Sequence, residues 1–133
     1  MLAVFRVDAS REMGTGHALR CLTLADEWVR QGGRSVFLGR ELEGHVFPWI
    51  RERGHEVLVL PPAGPVQVPD ADAPPHASWL RATWEADAAA VEKALRKERL
   101  PRVDWLVVDH YALDARWERR LRPLVSRDRK SVV

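Results

Sequence analysis

FRVDASREMGTGHALRCLTLAD, residues 5–26, is the stretch on which the fold turns. It opens inside an apolar run, Leu2 to Val7, whose length and β-branched content predict a buried strand. The run ends in Asp8. A polar loop punctuated by Gly14 and Gly16 follows, and a helical period begins at His17. Ala18, Leu22, Ala25 and Val29 share one helical face, and Gly32-Gly33 stops the helix at about Gln31. Strand, glycine loop and helix in that order open a doubly wound α/β domain, with the loop at the carboxyl end of the sheet.

The rest of the chain repeats the unit. Ser35 to Leu38 (SVFL) reads as a second strand, Gly44 to Arg53 as a short helix ending at Gly54, and Glu56 to Leu60 as a third strand. Residues 61–75, PPAGPVQVPDADAPP, form a Pro-rich connection without a period, longer than most loops in compact domains. Ser78 is expected to cap a helix running to about Arg99, with Leu80, Trp84, Ala88, Val91 and Leu95 on one stripe. Pro101 closes that region, Val103 to Asp109 is a fourth strand, and a last helix covers about Asp114 to Val125. The alternation predicts a Rossmann-like parallel sheet with helices on both faces. Chemistry in such sheets gathers beyond the carboxyl ends of the strands, where Asp8, Asp109 and the loop before His17 all fall.

The totals narrow the function classes. The 133 residues suffice for one domain, and 46% apolar with 30% charged residues is an ordinary globular composition. A net charge of +2, with Arg and Glu interleaved, demands no nucleic acid. The single cysteine, Cys21, excludes an internal disulfide and suits a reducing cytoplasm. No apolar run approaches the roughly 20 residues that span a bilayer, and MLAVFRVD is no signal peptide. The expectation is a cytoplasmic protein with neither a nucleic-acid nor a membrane partner. Residues 1–127 are expected to be a truncated N-terminal Rossmann-like domain. DRKSVV, residues 128–133, matches the in-frame translation of a common sequencing adapter and is expected to be a non-native tail.

Within the Gly-Thr-Gly-His turn, glycines let backbone amides face a concavity, and a helix N-terminus favours anions such as phosphate. The same field disfavours imidazolium, so His17 is expected to be neutral and able to take a proton from water. The alternative is that His17 only caps the helix while Gly14 and Gly16 make a tight turn; G-x-G-H by itself does not separate the two. Arg20, one turn on, either reaches phosphate or sugar or pairs with an acid such as Asp8. Asp109 either serves a site or caps the turn after its strand, and His110 has a bland reading as a partly buried loop histidine. Cys21 reads as a small buried filler. Trp28, Trp79 and Trp84 read as packing residues, Trp105 and Trp117 are left open, and ARWERRLRP, residues 115–123, reads as a solvated helix face. No His/Cys/Asp cluster has metal-ligand spacing.

FRVDAS, GTGHALRCLTLAD and VVDHYALD, in that order, resemble the nucleotide-sugar hydrolases of the pseudaminic acid pathway, and the likeness runs from Leu2 to about Val125. The resemblance implies the N-terminal domain of a GT-B-type two-domain protein whose C-terminal domain is missing here and supplies most uridine and pyrophosphate contacts. It implies release of UDP from UDP-2,4-diacetamido-2,4,6-trideoxy-β-L-altropyranose by inverting water attack, without metal or cofactor. His17 is then the catalytic base. Asp8, Ser10, Gly14, Gly16, Arg20, Asp109, His110 and Tyr111 are then substrate-binding, with Tyr111 touching the sugar. The fragment alone is expected to be inactive. A GT-B-type glycosyltransferase with a hydroxyl acceptor, and a non-catalytic nucleotide-sugar binding module, stay open as other readings.

Overall fold

Strands β1 (Leu2–Arg6), β2 (Arg34–Gly39), β3 (Glu56–Val59), β4 (Trp105–Val108) and β5 (Ser131–Val132) pair in the order β3-β2-β1-β4-β5, every pair parallel. This is a computed structural model, and it describes residues 1–11, 13–61, 80, 82–98, 100, 102–110, 112–125 and 131–132. The helices are α1 (Gly16–Arg30), α2 (Phe47–Glu52), α3 (Trp84–Lys97) and α4 (Ala115–Leu121), the last running into a 3₁₀ turn at Arg122–Leu124. The chain moves outward from β1 through β2 to β3, then crosses back to place β4 on the other side of β1. Strand order therefore reverses between β1 and β4, and in open α/β sheets ligands bind above the carboxyl ends at such a reversal.

Every residue of β1 is buried because both sheet faces are covered. The two-residue period of a strand divides its side chains between two cores. Leu2 and Val4, with Val36, Leu38 and Leu106, pack beneath α3 and α4 through Ala88, Val91, Leu95, Trp117 and Leu121. Ala3, Phe5 and Val7, with Phe37 and Val107, pack against α1 and α2 through Ala18, Cys21, Leu22, Ala25, Phe47 and Ile50. Phe5 and Phe37 stack at 4.8 Å between ring centroids and tie β1 to β2. The expected Rossmann-like sheet with helices on both faces is thus the observed fold.

Several boundaries differ from expectation, each for a local reason. The second helix starts at Phe47, not Gly44, because Pro48 fits only the first turn, and the backbone at Gly44 is left-handed (φ +87°). The third starts at Trp84, where Thr83 Oγ1 accepts from the Ala86 amide at 3.1 Å; Ser78, the expected cap, and Trp79 lie outside the described residues. Asp114, the expected first residue of the last helix, caps α4 by accepting from the Arg116 amide at 3.0 Å, and Pro123 converts the last turn to 3₁₀. Val29 is 42% exposed, and the buried face of α1 is completed by His17 and Cys21 instead. Of the expected tail, Ser131 and Val132 pair with Trp105 and Leu106 at the sheet edge. Among the described residues no helix is long and apolar enough to cross a membrane.

Candidate functional site

β1 and β4 end at Arg6 and Val108, so Asp8 and Asp109 emerge just beyond the two strands that flank the reversal in strand order. The loop from Asp8 back to α1 is pinned by Ser10. Its Oγ accepts from the Met13 amide at 3.0 Å and its carbonyl accepts from the Gly14 amide at 2.7 Å, with Gly14 left-handed (φ +77°). Thr15 precedes α1 without a side-chain cap, and the first turn itself carries no acidic residue. Gly16 is different from Gly14. Its φ is not left-handed, and a Cβ built there would meet no atom of the described residues within 4 Å. Nothing internal calls for a glycine at that position, which leaves its backbone open to close approach from outside.

His17, in the first turn of α1, brings its Nδ1 to 2.5 Å from Asp109 Oδ1; the two side chains are 11% and 22% exposed. Arg20, one turn later and 65% exposed, reaches the same carboxylate, Nε to Oδ2 at 3.1 Å and Nη2 to both oxygens at 2.9 Å. Arg20 Nη2 also lies 3.1 Å from His17 Nδ1. The contact with Asp109 identifies Nδ1 as a donor. Two lone pairs do not face each other at 2.5 Å, so Nδ1 carries the proton and donates it to Asp109. Arg20 then shares Asp109 with His17 and donates nothing to the ring. In a neutral ring the nitrogen able to accept a proton is then Nε2, with the carboxylate on the far side of the ring.

A second cluster lies behind the first, deep on the α3 side of the sheet. Arg6 and Asp8 point the same way because they are two apart on an extended strand. Arg6 donates from Nη1 and Nη2 to Asp8 at 2.8 and 3.1 Å, and from Nη2 and Nε to Asp87 of α3 at 2.7 and 3.2 Å. Arg40 Nη2 and Trp117 Nε1 each donate to Asp87 at 2.8 Å, and the Arg40 amide donates to Asp8 at 2.8 Å. His110 Nε2 donates to Asp8 at 2.9 Å while its Nδ1 accepts from the Ala112 amide at 3.1 Å, the opposite tautomer to His17. Burial opposes ionisation of Asp8, yet the Arg6 charge and the His110 hydrogen bond outweigh it and hold the carboxyl well below its usual range. Asp87 is held low in the same way, burial opposing and Arg6 and Arg40 prevailing.

The expected site residues therefore separate into two groups. His17, Arg20 and Asp109 meet in one cluster, with Ser10, Gly14 and Gly16 in the adjoining loop. Asp8 and His110, expected at the rim, are buried and bonded to the protein itself. Arg20 pairs with Asp109 and not with Asp8, whose oxygens are occupied by Arg6, His110 and the Arg40 amide. Tyr111 lies outside the described residues. Burial pushes the Cys21 thiol up to about 12, consistent with packing and not reactivity. The open tryptophans also resolve: Trp117 is buried on Asp87, and Trp105 makes an edge contact with Trp28 at 6.5 Å.

Arg6, Arg40 and Asp87 were not expected. An arginine inside a buried strand and an aspartate on the apolar stripe of α3, one turn after Trp84, are each improbable alone and together announce a buried pair. A third polar chain, at the opposite end of the sheet, runs from Asp26 Oδ1 to His55 Nε2 at 2.7 Å and from His55 Nδ1 to Ser35 Oγ at 2.5 Å. Its order imitates a catalytic triad, but Ser35 is buried within β2, out of reach of a substrate.

No protein-family model matches the chain, and no curated protein matches it in sequence. Among solved structures, the crystal structure of MurG from Acinetobacter baumannii superposes with a TM-score of 0.56 at 13% identity. The match covers 92% of this chain and 32% of MurG, so the chain spans about a third of that neighbour's length. At this identity the likeness is one of fold, and the fold is that of an α/β Rossmann-like domain.

Proposed function

We propose that this chain carries the base-bearing half of a nucleotide-sugar hydrolase, with His17 activating water. The observation that carries the reading is the His17–Asp109 pair at the reversal in strand order, which leaves Nε2 as the basic nitrogen. Nε2 takes a proton from water as the oxygen attacks the anomeric carbon from the face opposite the leaving group. The bond between that carbon and the phosphate oxygen breaks, its electron pair leaves with UDP, and the sugar inverts. Asp109 supports the imidazolium until the ring returns its proton to solvent. The uncapped start of α1 and the open backbone at Gly16 suit the phosphate oxygens. No metal or cofactor enters this scheme.

The substrate in this reading is UDP-2,4-diacetamido-2,4,6-trideoxy-β-L-altropyranose, of the pseudaminic acid pathway, named from the resemblance of the FRVDAS, GTGHALRCLTLAD and VVDHYALD segments. Uridine contacts belong to a second, C-terminal domain of GT-B type, so the 133 residues alone are expected to release no UDP. In a chain that carries both domains, His17→Ala is expected to slow UDP release by about 10²- to 10⁴-fold while leaving the circular dichroism spectrum unchanged. Undiminished release would overturn the reading. A release rate that rises with an added hydroxyl acceptor would reassign the site to sugar transfer, and binding without release in the two-domain chain would leave a nucleotide-sugar binding module.

A further inference from the structure

We propose that His110 is a positioning residue, a buried tie whose hold on Asp8 aims Asp109 at His17. The inference rests on the reading of Asp109 as the support of a His17 base, and adds the device that places it. Past Val108 the strand keeps a bond from the Asp109 amide to the Arg6 carbonyl at 3.3 Å, which fixes the backbone and leaves the carboxylate free to turn. The alternation of side chains nevertheless runs on beyond the strand. Val107 packs on the α1 side and Val108 on the α3 side; Asp109 then meets α1 at His17, and His110 meets Asp8 beside Arg6. In extended backbone the Cβ directions of neighbours are opposed. Whatever fixes His110 on one face therefore fixes where Asp109 leaves the chain on the other.

His110 is held at both ends of its ring. Nε2 donates to Asp8 Oδ2 at 2.9 Å and Nδ1 accepts from the Ala112 amide at 3.1 Å, and the His110 and Asp8 side chains are 1% and 0% exposed. The His110 carbonyl also accepts from the Leu113 amide at 3.1 Å, so ring and backbone together turn the chain towards α4. Asp8 is itself fixed in place by Arg6 and by the Arg40 amide, and Arg6 is anchored on Asp87 of α3 at 2.7 Å. A path of hydrogen bonds from Asp87 through Arg6 and Asp8 to His110 thus joins α3 to the neighbour of Asp109. An imidazole with one ring proton suits this post because it donates at one nitrogen and accepts at the other. Leucine fills the space and does neither. Glutamine carries a donor at the reach of Nε2, and asparagine an acceptor at the reach of Nδ1, so each keeps one end of the tie.

The test observes the His17 ring in the 133-residue chain by ¹⁵N-edited NMR at neutral pH, through the resonance of the Nδ1 proton donated to Asp109. In wild type that proton is expected as one line far downfield. His110→Leu is expected to abolish the line, and His110→Gln to restore it through the bond to Asp8. His110→Asn, which keeps only the Ala112 bond, is expected to leave it absent. The amide resonances of β1 and α1 confirm the fold of each variant. If the Leu variant does not fold, the Gln and Asn variants, each with one hydrogen bond intact, decide between them. A line that survives in the Leu or the Asn variant, a folded Gln variant without it, or a wild-type spectrum that lacks it would overturn the tie. None of these measurements involves turnover. The base reading fails separately, on undiminished UDP release by His17→Ala, which would leave the His17 line and its dependence on residue 110 as they are.

Discussion

The cluster around Arg6 and the cluster around His17 use the same residue types, arginine, aspartate and histidine, and meet at the same two strand ends. They differ in what surrounds them. In the inner cluster both carboxylates are enclosed, and Asp87 alone accepts from Arg6, Arg40 and Trp117. In the outer one, Asp109 is 22% exposed and its arginine lies mostly in solvent. Residues 109 and 110 mark the boundary: adjacent in the chain, Asp109 turns to His17 on α1 and His110 turns to Asp8 in the interior. Opposite tautomers follow, one leaving Nε2 basic and the other using Nε2 as a donor. Enclosure makes the first cluster a structural clamp, and partial exposure leaves the second open to solvent, as the proposed site requires.

The sharpest way to break this comparison is to remove one acid from each side. Asp87→Ala takes a carboxylate from two buried guanidinium groups, leaving Arg6 only Asp8 to offset its charge, and takes the acceptor of the Trp117 indole, and is expected to cost about 3–5 kcal/mol in urea denaturation. Asp109→Ala removes one partner of a mostly solvated arginine and is expected to cost on the order of 1 kcal/mol or less. Equal losses would mean that the two clusters do the same work.

Acid offers a second contrast, in the inner cluster alone. Asp8 and Asp87 titrate below their unfolded values, so the stability they contribute is complete above the ordinary carboxylate range, about pH 4. It is lost as the pH falls through their lower folded values. The denaturation midpoint of the wild-type chain is expected to fall steeply below about pH 4, and that of Asp87→Asn to fall less. Parallel acid profiles would place the acid-sensitive groups elsewhere.

What was legible in the sequence divides along similar lines. The strand–loop–helix opening, both faces of the sheet and the position of His17 follow from periods and from Gly14 and Gly16, which act within a few residues of chain. Its strand end and the resemblance place Asp8 among the substrate-binding residues, and the resemblance places His110 there, with a partly buried loop histidine as the alternative; position in sequence does not tell which way a side chain turns after the last ladder bond. Their burial depends on Arg6 and Asp87, 81 residues apart, and that contact is settled by how α3 crosses β1. The signal was there nonetheless. Arg6 and Asp87 each interrupt an apolar pattern, and two opposite charges in buried patterns of one small domain have few places to go but to each other.

The finest test concerns Gly16, where fold and ligand make opposite demands. A glycine in the first turn of a helix carries excess freedom in the unfolded chain, and alanine at a compatible backbone angle removes it. The φ at Gly16 is not left-handed and no atom of the described residues lies within 4 Å of where the Cβ would stand, so Gly16→Ala is expected to stabilise the chain by about 0.4–1 kcal/mol. The same methyl group would stand between the α1 amides and any anion approaching them. Pyrophosphate binding, followed by calorimetry, is therefore expected to weaken about 10-fold, the effect of roughly one displaced hydrogen bond. A variant that gains stability and binds as well as wild type would show that the opening at Gly16 serves no ligand. Loss of stability would mean that the loop itself relies on the glycine, as it does at Gly14.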